Sequence, residues 1–304
     1  MKKIIFKLLV VIGFLIPLFF VFKSFFSGTN LVWSDAPFFN QISIKELFSE
    51  PEFWTQRGNN FGGINIFLWL SPWMFLYGIL GKLLSLDNGL VIRILFYFPS
   101  LILSIVGPIL LSRYLKLGKI TSFFASFLYV FNTYYLLLVD GGQVGIALAY
   151  GLFPLVILAL KKIIDLGGIK YFTLGLVLSF LLTTVEPRLF IIAFLVIVLW
   201  FLFDLFVDKK TINYKNLLLV LLIGLIIVPL NLYWLYPILK TGELSLGTSV
   251  TGLQLTSLLN GLFLYQPHWP NNVFGNITYP PFYYVLIPIL IFANLLFQKN
   301  KKSS

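Results

Sequence analysis

The sequence predicts an all-α polytopic membrane protein of about 8–9 transmembrane helices, and three observations carry that reading. Only 11% of the 304 residues are charged, 59% are hydrophobic, and the mean hydropathy is +0.94. No soluble domain is so poor in charge. Apolar runs long enough to cross a bilayer recur from one end of the chain to the other. Between them the basic residues gather in short clusters, as the positive-inside bias requires.

The first apolar run, 4–22, follows Met1-Lys2-Lys3 and resembles the charged head and apolar core of a signal peptide. It is too long for one and no small-residue cleavage site follows, so the expectation is a retained first span. Further runs occupy 64–81, 90–112, 120–139, 144–160, 170–185, 189–207, 216–239 and 281–297. The whole chain, 1–304, therefore reads as a single transmembrane domain. The segments 23–63 and 240–280 are its two long polar stretches, expected as the first and second outer loops.

Charge sets the expected orientation. The clusters Lys2/Lys3/Lys7, Arg113/Lys116/Lys119, Lys161/Lys162/Lys170, Lys209/Lys210/Lys215 and Lys299/Lys301/Lys302 hold 15 of the 22 basic residues. They should mark the cytoplasmic side of the cell membrane, with the N-terminus cytoplasmic. Nine spans conflict with that rule, because they would separate two lysine-rich termini. The run 64–81 contains Trp69, Pro72 and Trp73, which suits a re-entrant or interfacial helix and would leave eight full spans; alternatively, one turn breaks the charge rule, which is a bias and not a law.

Composition also excludes chemistry. Without cysteine there is no disulfide, thiolate metal site or cysteine nucleophile. A single histidine, His268, argues against a histidine-based metal site or a Ser-His-Asp relay. The net charge of +11 does not indicate nucleic acid, since its lysines and arginines sit between membrane runs.

Polar groups beside spans carry the functional argument, because an ionisable group held in hydrocarbon costs about 2.5–3.5 kcal/mol on insertion scales. Asp35 lies in Leu31-Val-Trp-Ser-Asp-Ala-Pro-Phe-Phe39, just after the first span. A carboxylate there, among Trp33, Phe38 and Phe39, is placed to meet a lipid-linked polar substrate; helix capping within an aromatic belt is the plainer role. The same loop continues through Glu46, Glu50, Glu52 and Arg57, with Phe48, Phe53 and Trp54 spaced for an interfacial amphipathic helix. It ends in the glycine-rich turn Gly58-Asn-Asn-Phe-Gly-Gly63.

Three further turns carry candidates. Phe131-Asn-Thr-Tyr-Tyr135 and Val139-Asp-Gly-Gly-Gln143 present Asn132, Asp140 and Gln143, suited to sugar or phosphate, or to a plain helix-joining turn. Thr183-Thr-Val-Glu-Pro-Arg188 presents Glu186 and Arg188, which could simply pair with each other. Arg188 is also a planar fork suited to phosphate. Asn231-Leu-Tyr-Trp-Leu-Tyr-Pro237 ends a span with Trp234, an interfacial anchor or an acceptor contact. In the second loop His268 is a candidate donor, acid or base, and Asn276-Ile-Thr278 a glycosylation triplet.

The order of these features resembles the GT-C superfamily of membrane glycosyltransferases, and most closely arabinofuranosyltransferase-like and related prokaryotic membrane proteins. The resemblance covers roughly residues 1–240. It rests on the early Asp35, on Phe131-Asn132, on Gly142-Gln143 running through Tyr150 to Pro154, and on Asn231 to Pro237. It implies a GT-C-like fold, a polyprenyl-phosphate-linked sugar as donor and a catalytic carboxylate, here Asp35, with a divalent metal ion as the one cofactor left open. The chain departs from the pattern in Thr133 after Asn132, in lacking a second acid beside Asp35, and in its short length. A short chain also fits a non-catalytic subunit with a membrane-protein partner, or an inactive relative. A lipid or solute transporter is the other class considered; it would use helices broken at Pro99, Pro108, Pro154 or Pro229 and polar groups in mid-span.

Overall fold

The computed structural model describes residues 2–26, 54–55, 63–64, 68–208, 213–241, 271–272 and 275–276. Its order follows the apolar runs. Helix α1 (Lys2–Val21) leads into a short α2 (Lys23–Phe26). Within the first long loop, β1 (Trp54–Thr55) pairs antiparallel with β2 (Gly63–Ile64). A 3-10 turn (Leu68–Leu70) opens α3 (Ser71–Leu83), which is followed by α4 (Asn88–Ile92), a π-helical turn (Arg93–Tyr97) and α5 (Phe98–Tyr114). Then come α6 (Lys119–Val130), α7 (Thr133–Asp140), α8 (Val144–Leu166), α9 (Ile169–Val185), α10 (Pro187–Phe206), α11 (Tyr214–Leu230) and α12 (Leu232–Thr241). In the second long loop β3 (Asn271–Asn272) pairs with β4 (Gly275–Asn276).

Among the described residues four helical stretches are long and apolar enough to cross a bilayer: Gly89–Tyr114, Lys119–Val139, Val144–Leu166 and Pro187–Phe206. A fifth forms if Tyr214–Leu230 and Leu232–Lys240 count as one span, although they bend by 69°. The chain is thus a helical membrane protein. Ile12–Val21 and Ile169–Val185 are shorter apolar helices, and the expected span 281–297 lies outside the described residues.

Helix starts are set by local chemistry. Asp87 accepts from the amides of Gly89 and Leu90 to begin α4, Asn132 from Tyr135 to begin α7, and Asn213 from Lys215 to begin α11. Proline acts by position. Pro187 opens α10, where a missing N–H costs nothing, whereas Pro99 follows directly on the π-helical turn inside the continuous stretch Gly89–Tyr114. Pro108 and Pro154 ride inside continuous helices, while Pro229 precedes the α11–α12 bend.

Helix α8 is the axis of the bundle, its core formed by Ala147, Leu148, Leu152, Val156, Leu160 and Ile163. It lies against α5 so closely that a Cβ on Gly151 would stand 2.7 Å from the Ser100 carbonyl oxygen. Small residues permit this approach because lipid supplies no hydrophobic drive to pull helices together. Phe14, Phe22 and Phe25 fix α1 and α2 against Phe123, Phe131, Tyr135 and Tyr97. By contrast α10 and α11 turn Leu195, Leu199, Phe206, Leu218 and Leu225 outward, the surface a lipid-facing helix requires.

The two ends of the bundle differ. One gathers Arg113, Lys116, Lys119, Lys162, Lys170 and Lys215; it is called here the lysine end. The other gathers tryptophans and tyrosines, the aromatic end. At the aromatic end Trp73, near the start of α3, bonds Thr184 at the end of α9. Arg93, just after α4, bonds the Phe25 carbonyl at the end of α2. Helix α3 therefore starts and finishes at the same end. With 13 residues it is about 20 Å long, against about 30 Å of hydrocarbon. That length suits a partial element, the reading under which the run 64–81 leaves the two lysine-rich termini on one side.

Candidate functional site

Three of the polar turns picked out by sequence meet at the aromatic end. Helix α9 ends in Thr183-Thr184-Val185, where the chain turns sharply through Glu186 into α10. Glu186 is buried, and it receives the Arg188 amide at 3.3 Å, so it caps the new helix. It also grips the Arg188 guanidinium twice, Nε donating to Oε1 at 2.6 Å and Nη2 to Oε2 at 2.9 Å. The partners differ sharply in exposure: the Glu186 side chain is 5% exposed and that of Arg188 74%. A buried carboxylate thus holds an exposed cation in one orientation. The fork presents five N–H donors and Glu186 takes up two, so the outer edge of the guanidinium can receive the oxygens of an anion. Tyr134, from α7, stands within electrostatic reach of both.

The turn between α7 and α8 borders this place. A Cβ added to Gly145 would lie 3.7 Å from the Val185 carbonyl oxygen and 3.7 Å from Leu70, which puts the start of α8 against the end of α9. Gln143 is half-buried beside it. Asn132 has a different part. Its Oδ1 caps α7 through Tyr135 at 2.9 Å, and its Nδ2 donates to the carbonyls of Leu128 and Tyr129 and to the Tyr150 hydroxyl. It is buried, and its amide holds the α6–α7 bend together.

The third turn is the α11–α12 break. Asn231, buried, donates to the Ile227 carbonyl at 2.8 Å and to Thr183 Oγ1 at 3.2 Å, and its Oδ1 accepts Trp234 Nε1 at 2.7 Å. Trp73 Nε1 donates to Thr184 Oγ1 at 3.0 Å, and Tyr233 donates to the Trp69 carbonyl at 2.7 Å. The rings of Trp69 and Trp234 meet edge to face, 6.0 Å apart at 72°. Thr184 thereby holds Trp73 directly and Thr183 reaches Trp234 through Asn231, just before Glu186 in the chain, while Trp69 joins through its contact with the Trp234 ring.

The lysine end holds a constellation that sequence reasoning passed over. Lys161, grouped above with surface lysines, is buried between two acids, 2.5 Å from Asp165 and 2.8 Å from Asp204. Tyr114 donates to Asp165 at 2.7 Å, and the Lys161 ammonium lies 5.1 Å from the Trp200 ring centre. Lys161 and Asp165 are one helical turn apart in sequence, a visible i,i+4 signal. Asp204, 43 positions further on, carries no such signal, although an acid within an apolar run is itself a warning. Arg93 was likewise missed. It is buried in the π-helical turn, with Nε 3.1 Å from the Phe25 carbonyl.

Asp35, Arg57 and His268 lie outside the described residues, as does the side chain of Asp140. Among the described residues no three of His, Asp and Glu converge to hold a metal ion. Comparison of this chain with protein-family models, with curated proteins and with solved structures finds no match.

Proposed function

We propose that the chain is an integral membrane glycosyltransferase that moves a sugar from a polyprenyl-phosphate donor to an extracytoplasmic glycan, lipid or protein. The observation that carries this reading is Arg188: an exposed guanidinium, braced by a buried carboxylate, at the end of a bilayer-length bundle opposite the lysines. That is where the phosphate of a membrane-anchored lipid would be presented. Asp35 supplies the base. The acceptor hydroxyl gives its proton to the Asp35 carboxylate as its oxygen bonds to the anomeric carbon, and the bond from that carbon to the phosphate oxygen breaks. The polyprenyl phosphate leaves carrying the electron pair, and Arg188, with Gln143 nearby, neutralises the charge that develops.

The test incubates membranes containing the protein with radiolabelled polyprenyl-phosphate sugars, beside an Asp35→Asn control. Transfer is expected for at least one donor, with a loss of about 10²-fold or more in the mutant. Full activity in Asp35→Asn removes the base. Failure of the folded wild type to consume any donor replaces the transferase with a subunit that serves a catalytic membrane partner.

A further inference from the structure

Tryptophans at a bilayer interface ordinarily turn the indole N–H towards headgroups and water, because that is the polar end of the ring. The aromatic end does the reverse. Trp234 directs its N–H to Asn231 and Trp73 directs its own to Thr184, and both acceptors are at most 2% exposed. Asn231 is in turn bonded to Thr183. The plane of each indole is therefore fixed by the end of α9, yet Trp69, Trp73 and Trp234 all stay half-buried. Phe96, fully buried, packs beside Trp73 at 5.8 Å, and the rings of Trp69 and Trp234 meet edge to face.

An indole with its donor committed inward offers a partner mainly its π-face. That face attracts polarised C–H groups, such as those on one side of a sugar ring, and it does so without the entropy of ordering a flexible side chain. The neighbouring turn offers the complementary charge for phosphate, through Arg188. Resting on the transferase reading above, we infer that Trp234, with Trp69 against it, is the sugar subsite: it stacks the aldose ring of a glycosyl phosphate whose phosphate lies on Arg188. An anchoring role alone would leave these rings indifferent to the sugar.

The test uses the full chain in nanodiscs and compares binding of polyprenyl phosphate with that of polyprenyl-phosphoryl hexose and pentose. The wild type should prefer a glycosylated lipid by about tenfold, near the low end of what a nucleobase gains by stacking on an aromatic side chain. Trp234→Leu should abolish the preference without weakening the bare lipid phosphate, and Trp234→Phe should retain most of it. If Trp234→Leu fails to fold, Trp69→Leu must lose part of the preference. Sugar preference that survives these changes, or a wild type that binds bare and glycosylated lipids equally, overturns the subsite and leaves the phosphate reading standing. A wild type that binds neither overturns both.

Discussion

Lys161 places an ammonium inside the bundle, between the carboxylates of Asp165 and Asp204. Burying an ammonium is unfavourable unless carboxylates and hydrogen bonds replace its water, and Asp165, Asp204 and the Trp200 ring do so. The attraction between the ammonium and its two carboxylates roughly offsets their desolvation, so the triad as a whole adds little net stability. Removing one member is a different matter. Lys161→Met takes the ammonium away from Asp204, whose side chain is only 4% exposed. Such a break costs about 3–5 kcal/mol, to be read from thermal melting in detergent or nanodiscs. Adding Asp204→Leu to the same chain should recover most of the loss. A single mutant as stable as the wild type would show that water reaches the cluster. Glu186 belongs to the same class of residue with a different outcome, since its partner faces outward. One buried carboxylate serves at once as helix cap and as anchor for an exposed cation.

At the scale of helices, the sequence pattern was most legible where one chemical rule acts alone. The runs 90–112, 120–139, 144–160 and 189–207 all become bilayer-length helices, because hydropathy over about 20 residues has no competing interpretation. Asp87 and Asn213 cap helices by equally local chemistry but were not singled out in the sequence, and Asn132, read there as a sugar or phosphate contact or part of a plain turn, is a cap as well. What was not legible is pairing. Nothing in Thr183-Thr184 reveals that it holds Trp73 and Asn231, and nothing in Gly151 reveals the Ser100 carbonyl beside it. The Gly151 contact is open to a direct test. A methyl placed 2.7 Å from that oxygen must part α5 from α8, and overpacking of this kind costs about 1–3 kcal/mol. Gly151→Ala should therefore lower the melting temperature measurably. Gly13→Ala, where an added Cβ meets nothing within 4 Å, is the matched control and should not.

For the molecule as a whole, the decisive property is sidedness, because the proposed chemistry requires a phosphate at the aromatic end and cytoplasm at the lysine end. The positive-inside bias would place the lysine end in the cytoplasm, and the proposed chemistry needs Arg188 on the opposite face. The short α3 makes the arrangement testable at one position. If it were a full span, Leu84 would emerge on the side opposite Tyr236; as a partial element it leaves both on the same side. The chain has no cysteine, so single cysteines can be placed without background at Leu84 and Tyr236, 58% and 60% exposed, and at Ile169, 77% exposed at the lysine end. In intact cells a membrane-impermeant maleimide should label Leu84→Cys and Tyr236→Cys alike, and should reach Ile169→Cys only after permeabilisation. Labelling of Leu84→Cys together with Ile169→Cys would make α3 a crossing helix and restore a ninth span. Labelling of Ile169→Cys alone in intact cells would invert the molecule, turn Arg188 to the cytoplasm, and remove the site from the face on which the proposed acceptor is glycosylated.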